Sequence, residues 1–439
     1  MVVYGMNVDY LTFDFTLNQH KMKTYFLFIF CYVLLASCQP KQEQSFGQTS
    51  TSSDSFIKVD GPNLITPDGE KFLIRGTNLG NWLNPEGYMF RFRNTNSASR
   101  INQAFCEMVG PDFIAGFWKQ FKDNYVTIDD IMFLKSVGVN SLRLPFHYKL
   151  FTDEDYMGLT ADQDGFERVD QLINWCKEAG IYLILDMHDA PGGQTGDNID
   201  DSYGYPWLLE SEISQQLFID IWVKIADRYK DEPIILGYDL LNEPIAPYFE
   251  NLDELNSKLE PLYKKAVAAI RQVDNNHVIL LGAAQWNSNF KVFSNADFDD
   301  NLMYTCHRYG GEPTAEAIKS YIDFRDKVNR PMYMGETGHN TDEWMAAFRT
   351  MMEENNIGWH FWPYKKMDGS SCVSIPAPEN WDLVVDFVEA DRSSYKAIRE
   401  ARPDQEVAKK VLSDFLENCK FSNNEINHNY LNALGLGTK

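Results

Sequence analysis

Eight short runs rich in aliphatic, β-branched and aromatic residues follow one another from residue 72 onward, and longer stretches with helical periodicity lie between them. Most of these runs are apolar almost throughout, which is typical of strands buried on both faces. The predicted strands are 72–78, 139–145, 181–188, 235–242, 278–284, 302–307, 332–336 and 357–362, and the clearest predicted helices are 166–179, 215–229 and 254–273.

Strand alternating with helix predicts an α/β fold with a parallel sheet. Eight repeats without a break in the order predict closure into a single (β/α)8 TIM barrel. An open doubly wound sheet is the alternative, but it would need a glycine-rich phosphate loop after an early strand, and the sequence has none. Residues 56–71 are expected to form a short N-terminal β-hairpin that caps the barrel floor. No second domain and no internal repeat is evident.

The amino terminus has the pattern of a bacterial lipoprotein signal. Residues 22–38 read MKTYFLFIFCYVLLASC, in which a lysine, an apolar run and small residues precede a cysteine. Cys38 is the expected site of lipidation, and the apolar run is too short for a comfortable membrane span. We therefore expect a lipid-anchored protein of the bacterial cell envelope, periplasmic or at the cell surface, with its translation start at Met1 or Met22.

These features divide the chain into four parts. Residues 1–37 comprise an upstream segment and the signal peptide, and 38–55, rich in Ser, Thr and Gln, are expected to be a flexible tether. Residues 56–420 are expected to form the barrel. Residues 421–439 are polar and are expected to form a loosely held C-terminal tail.

Composition narrows the classes of partner. The 63 acidic residues outnumber the 40 basic ones, and the net charge of −23 disfavours nucleic acid and acidic polysaccharides. The 10 Trp, 22 Tyr and 29 Phe would supply both a large core and rings on which sugars stack. Of the seven cysteines, five lie beyond the signal without metal-ligand spacing, so free thiols and no metal site or cofactor are expected. We expect a monomer.

Polar and aromatic residues stand where the predicted strands end, which is the face that carries the active site in barrels of this kind. Any one of them has a structural explanation, such as an ion pair at the barrel rim for Arg143 or an acid at a helix start for Glu243. Together they predict one site. The set comprises Arg143, His188, Asn242, Glu243, His307, Tyr309, Glu336 and Trp362.

Two carboxylates at the ends of strands four and seven would face each other across the barrel mouth. Retaining glycosidases need such a pair about 5–5.5 Å apart, one acting as nucleophile and one as acid/base. Arg143 would favour the ionised form of the nucleophile, Asn242 would bind the sugar 2-hydroxyl, and Trp362 would lie under the sugar at the cleavage site.

The motifs LLNEP at 240–244 and GETG at 335–338 then make the chain resemble glycoside hydrolase family 5, the cellulase-type family of retaining barrel enzymes. The resemblance covers roughly residues 56–395. It implies that Glu243 is the acid/base and Glu336 the nucleophile, that Arg143 and Tyr309 orient Glu336, and that His188 and His307 frame the cleavage subsite. All eight positions carry the residue type that the family uses.

The substrate implied is a neutral β-linked polysaccharide or oligosaccharide, with β-glucan preferred. β-Mannan or xyloglucan hydrolysis, a non-catalytic membrane-tethered glycan binder and a metal-dependent hydrolase using His188, Asp186, His307 and Asp239 are the alternatives. The last lacks the expected HxH spacing. Weaker candidates for sugar contacts are Asn81, Trp82, Trp207, Trp286 and Lys366.

Overall fold

The computed structural model describes residues 53–158, 163–197 and 199–437. The predicted signal peptide, the lipidation site Cys38 and the tether up to residue 52 lie outside these residues. The described residues belong to one unit, Ser50–Lys439. Across these ranges, no helix has both the length and the apolar character that a membrane crossing needs.

The strands comprise three that precede the barrel, eight that form it and three that follow it. They are β1 Lys58–Asp60, β2 Asn63–Ile65, β3 Lys71–Phe72, β4 Arg75–Asn78, β5 Ser141–His147, β6 Tyr182–Asp189, β7 Ile235–Asp239, β8 Val278–Gly282, β9 Leu302–His307, β10 Met332–Gly338, β11 Gly358–Trp362, β12 Lys365–Met367, β13 Val373–Ile375 and β14 Glu425–Ile426.

The helices lie between the barrel strands and after them. They are α1 Ala98–Val109, α2 Pro111–Tyr125, α3 Ile128–Val137, α4 Gln163–Ala179, α5 Glu212–Tyr229, α6 Leu252–Ile270, the single turn α7 Ala284–Asn287, α8 Lys319–Val328, α9 Asp342–Glu354, α10 Trp381–Val388, α11 Tyr395–Ala401, α12 Gln405–Asn418 and α13 His428–Ala433.

The predicted (β/α)8 barrel is confirmed. Strands β4 to β11 close in the order β10-β11-β4-β5-β6-β7-β8-β9, and every neighbouring pair is parallel. All eight predicted strands overlap the observed ones. Closure removes the free edges that an open parallel sheet would expose.

The barrel floor is covered by the small antiparallel sheet β1-β2-β3, so the predicted hairpin cap is confirmed with one strand more than expected. Its residues pack against inward-facing side chains of the barrel strands. This apolar cluster comprises Ile57, Leu64, Ile74, Ile184, Leu236, Val278, Leu280, Met303 and Tyr333. Because the floor is sealed in this way, the open end of the barrel is the one at which the strands end.

The prediction of a loosely held tail over 421–439 is wrong for its described part. Strand β14 pairs with β13, and α13 buries Tyr430 and Leu431. The buried apolar residues of this segment are few and lie in α13 and directly after it, and the Gly437 backbone N–H donates to the Val137 carbonyl oxygen at 2.9 Å. The polar average of the segment concealed these apolar positions.

The five described cysteines are free, as predicted. Cys106 is half-buried, and burial keeps the other four thiols from solvent.

Candidate active site

Glu243 and Glu336 lie at the open end of the barrel, Glu243 beyond the end of β7 and Glu336 within β10. Both are near His307, whose Nδ1 is 2.9 Å from Glu243 Oε1 and 3.7 Å from Glu336 Oε2. One atom of each of these three side chains lies within 4.8 Å of the other two. The two carboxyl groups are therefore close enough to act on the same bond.

Local backbone irregularities aim both carboxyl groups. In β10 the regular pairing with β9 and β11 is interrupted just before Glu336, and bulges of this kind re-aim side chains. The residue before it must be small, since a Cβ on Gly335 would lie 2.3 Å from Thr305 Oγ1. Glu243 has a positive φ of 45°, a conformation that costs about 1–3 kcal/mol and collects at functional sites.

Arg143 holds Glu336 from behind. Its guanidinium is fully buried and lies 2.7 Å from Glu336 Oε1, 2.8 Å from Asp239 Oδ2 and 2.9 Å from Asp186 Oδ1. It also donates to Asn242 Oδ1 at 2.9 Å. Arg143 stands in the middle of β5 rather than at its end as expected, because its long side chain reaches the site from deeper in the barrel.

Tyr309 provides a second contact to the same carboxylate. Its hydroxyl donates to Glu336 Oε2 at 2.8 Å. With Arg143 on the other oxygen, both oxygens of Glu336 accept charge-assisted or hydroxyl hydrogen bonds that fix the orientation of the carboxylate.

Glu243 has the opposite environment. Burial raises the pKa of its carboxyl to about 7, against the opposing charges of His188 and Arg143. Its hydrogen-bonding neighbour is uncharged at neutral pH, because burial lowers the pKa of His307 to about 3. Close to neutrality, Glu243 can therefore both hold a proton and release it.

Trp362 and His188 form a flat wall. The two rings are stacked at 5.2 Å with an interplanar angle of 5°. Trp362 Nε1 donates to the hydroxyl of Tyr88. His188 Nδ1 is 2.7 Å from Asp186 Oδ2, and its Nε2 is 3.3 Å from Asn242 Nδ2.

A cavity of about 470 Å³ opens over these groups. Its lining contains two glutamates assigned from sequence, three further predicted residues and four residues that sequence reasoning missed. They are Glu86, Tyr88, His188, Ile199, Glu243, Tyr309, Glu336, His339 and Trp362. Arg143, Asn242 and His307 stand behind this lining.

The sequence model of the cellulase family, glycosyl hydrolase family 5, matches residues 101–368. The chain belongs to this family. A β-xylosidase of Phanerodontia chrysosporium is 31% identical over 295 residues, which are 67% of this chain but 59% of the relative, so the chain spans less than two thirds of that protein. Endoglucanase C of Acetivibrio thermocellus is 26% identical over 329 residues, 61% of this chain and 92% of the relative.

A solved structure shares the barrel of this family 5 chain. The rutinosidase from Aspergillus niger has a TM-score of 0.56 at 20% identity, over 68% of this chain and 92% of that one. At this identity the likeness extends to the fold alone.

Glu86 is the most informative residue that sequence reasoning missed in this family 5 chain. Its side chain is buried, burial raises its pKa, and its Oε1 lies 3.7 Å from His188 Nε2. Asn81 holds the loop, since its Oδ1 accepts from the Glu86 backbone at 3.0 Å. The available signal was a single acidic residue in the segment 79–90, which follows the first barrel strand and reads LGNWLNPEGYMF.

The weaker sugar-contact candidates separate into distinct environments. Trp82 is a core residue: it is buried, packs on Trp175 and donates to the Lys122 carbonyl at 2.8 Å, so the expectation of a sugar contact is wrong for it. Asn81 is buried beneath Glu86. Lys366 lies in β12 and is not part of the cavity lining. Trp207 and Trp286 are exposed and are not part of the lining either.

Asp186 and Asp239 belong to the Arg143 network. Both carboxylates are engaged by the guanidinium, which leaves the metal-dependent alternative without two of the ligands it would require.

Proposed function

We propose that this family 5 chain is a retaining glycoside hydrolase that cleaves a neutral β-linked polysaccharide or oligosaccharide, preferably a β-glucan. The observation that carries the proposal is the carboxyl pair, in which Glu243 and Glu336 have oxygens within 4.8 Å of each other. Separations near 5–5.5 Å suit a covalent glycosyl-enzyme, whereas inverting enzymes need about 6.5–9.5 Å to admit a water molecule.

Each carboxyl group has the environment that its step requires. In the first step an oxygen of Glu336 attacks the anomeric carbon, the glycosidic C–O bond breaks, and Glu243 passes its proton to the departing oxygen. In the second step Glu243 takes a proton from water, whose oxygen attacks the same carbon and releases Glu336. The pKa of about 7 for Glu243 suits a group that must give and regain a proton.

The remaining residues bind and orient the sugar. Trp362 would support its ring face, and Asn242 would bind the 2-hydroxyl while held by Arg143. His188 and His307 would border the cleavage subsite. The Glu86 carboxyl, which lines the cavity beside His188, would accept a hydrogen bond from a further hydroxyl.

An exposed aromatic pair extends the site on the Glu243 side. Trp286 meets Tyr248 edge-on at 6.3 Å, and the Tyr248 hydroxyl donates to Asp197 Oδ2 at 2.6 Å. Tyr248 follows Glu243 on the same loop, and Glu243 protonates the leaving group. We therefore assign the pair to the leaving part of a glycan, with Trp207 as a further platform along the rim.

Azide provides the test of the two assignments. On an aryl β-glucoside we expect Glu336→Ala to lower kcat/KM by at least about 1000-fold, and Glu243→Ala to lower it by about 100-fold, since an aryl leaving group depends less on protonation. With Glu336→Ala, azide would attack directly and give an α-glycosyl azide; with Glu243→Ala, it would react with the glycosyl-enzyme and give a β-glycosyl azide. Exchanged products would reverse the roles, and wild-type activity in either variant would reject the assignment.

The choice of glycan rests on a substrate panel. An endoglucanase among the relatives supports β-glucan. Product analysis on β-1,4- and β-1,3-glucan, β-mannan and xyloglucan would separate these substrates. Binding to all of them without release of reducing ends would instead favour the non-catalytic binder.

The lipid anchor and the location in the cell envelope remain part of the proposal. Their support is the signal-like sequence that ends at Cys38. Metabolic labelling with a fatty acid should mark the wild type and not Cys38→Ala, and the variant should leave the membrane fraction. Gel filtration of the chain without residues 1–37 tests the expected monomer.

A further inference from the structure

His339 lies in the wall of the cavity, three residues after Glu336. Its backbone has a positive φ of 51°, and the preceding Gly338 has a φ of 137°. A Cβ on Gly338 would lie 2.8 Å from the Trp362 carbonyl oxygen, so β10 and β11 approach too closely there for another residue. This turn directs the imidazole of His339 to the cavity at the cost of a left-handed backbone.

The imidazole contacts two tyrosines that themselves hold parts of the site. It stacks on Tyr309 at 5.6 Å and 27°, and it meets Tyr88 edge-on at 5.5 Å and 79°. Tyr309 donates to Glu336, and Tyr88 accepts from Trp362. His339 therefore stands on the side of the cavity where the sugar that becomes attached to Glu336 must lie.

Within the described part of the chain, the exposed His339 has no hydrogen-bond partner at either ring nitrogen. A neutral imidazole has one donor and one acceptor. The ring is thus fixed by its neighbours and by a strained backbone, while its polar atoms remain available to a molecule in the cavity.

We propose that His339 is a specificity-determining residue that hydrogen-bonds the 3-, 4- or 6-hydroxyl of the sugar on the non-leaving side of the scissile bond. The inference rests on the proposed glycosidase function. The 2-hydroxyl is assigned to Asn242, which contacts Arg143 and His188 and has no contact with His339.

The test measures kcat/KM for para-nitrophenyl β-glucoside and for its 2-, 3-, 4- and 6-deoxy analogues with wild type, His339→Ala and His339→Asn. Asparagine tolerates the left-handed backbone, so it removes the imidazole with the least risk to folding. In the wild type we expect the analogue that lacks the bonded hydroxyl to lose about 3- to 10-fold from this contact, the range for one neutral hydrogen bond. In both variants this loss in kcat/KM should become smaller by the factor that the contact contributes in the wild type, or disappear to within about twofold. The loss for the 2-deoxy analogue should not change.

The exposed His428 of α13 offers the matched control, and His428→Asn should leave all five values unchanged. If the variants reduce every substrate by one common factor, His339 has a packing role and the inference is wrong. If the wild type is active and all deoxy losses persist in the variants, the inference alone is overturned. If the wild type hydrolyses none of the glucosides, both this inference and the β-glucoside assignment fail.

Discussion

At the scale of single residues, Glu243 and Glu336 differ in what surrounds them rather than in chemical type. Two hydrogen-bond donors hold the oxygens of Glu336, from Arg143 and Tyr309. Glu243 instead has burial and the neutral imidazole of His307. The same side chain can thus serve as nucleophile and as acid because the barrel presents it with two different environments.

The pKa of Glu243 predicts the alkaline limb of the activity profile. Because the acid must be protonated in the free enzyme, kcat/KM should be constant well below pH 7, fall to half of that level at about pH 7, and then approach a tenfold fall per pH unit. A pH profile with a β-glucoside checks this. In Glu243→Gln, assayed with an activated aryl leaving group, the limb should vanish; a limb retained in that variant would belong to another group.

Arg143 predicts a large effect on stability. Replacement by Met would leave Asp186, Asp239 and Glu336 buried without their cation, which costs about 3–5 kcal/mol. Urea unfolding measures the change in the free energy of unfolding. As a control, Arg228→Met on α5 removes an exposed ion pair with Asp170 of α4 and should cost under about 1 kcal/mol. Equal losses in the two variants would contradict the role given to Arg143.

At the scale of elements, the turn α7 is unusual because Gln285, Trp286 and Asn287 all have positive φ. Such a conformation costs about 1–2 kcal/mol for each residue with a Cβ. The turn is held by hydrogen bonds from Gln285 to Asn256 and from Asn289 to Gln285. It presents the Trp286 indole to solvent beside Tyr248.

Two substitutions of Trp286 separate backbone strain from the ring. Trp286→Gly should be more stable than Trp286→Ala by about 1 kcal/mol in thermal unfolding, because glycine adopts positive φ freely. Both should raise KM for long glucan oligosaccharides by about 2- to 12-fold, the range of one aromatic contact, and leave aryl glucosides unchanged. Tyr395→Ala, at an exposed tyrosine on α11, is the control. An equal rise in KM for aryl glucosides would show that Trp286 and Tyr248 do not contact the leaving part of the glycan.

The carboxyl-terminal helix α13 is part of the folded barrel unit. Leu431→Ala removes a buried side chain and should cost about 2–5 kcal/mol of unfolding free energy. The neighbouring Asn432 is exposed, so Asn432→Ala should cost under about 0.5 kcal/mol. Urea unfolding measures the free energy of unfolding of the two variants. If Leu431→Ala left it unchanged, the segment would be a loosely held tail.

At the scale of the whole molecule, the net charge of −23 selects among substrates. A neutral glucan should be cleaved at the same rate at about 0.01 M and 0.15 M salt, since it carries no charge to be repelled. A carboxymethylated glucan should be cleaved several-fold more slowly at the lower salt concentration and recover at the higher one. Equal salt dependence for the two polymers would show that the field of the protein does not reach the substrate.

The barrel and its two glutamates could be predicted because both depend on local patterns. Eight apolar runs in alternation with helices leave few folds, and parallel strands in a barrel bring their ends to one face. Any polar residue at those ends, Glu243 among them, is therefore expected at one site. The cap over the floor could be predicted for the same reason, since its strands are adjacent in sequence.

Tertiary structure decided what depends on distant parts of the chain coming together. Arg143 contacts Asp186 and Asp239 because of the register between neighbouring strands, which no single segment contains. Glu86 and His339 reach the cavity from irregular loops. The sequence of such a loop has no periodic pattern from which the positions of its side chains could be predicted. The sequence by itself determined the barrel and the positions of the carboxyl groups. The raised pKa of Glu243 depends on burial, which only the packed tertiary structure provides.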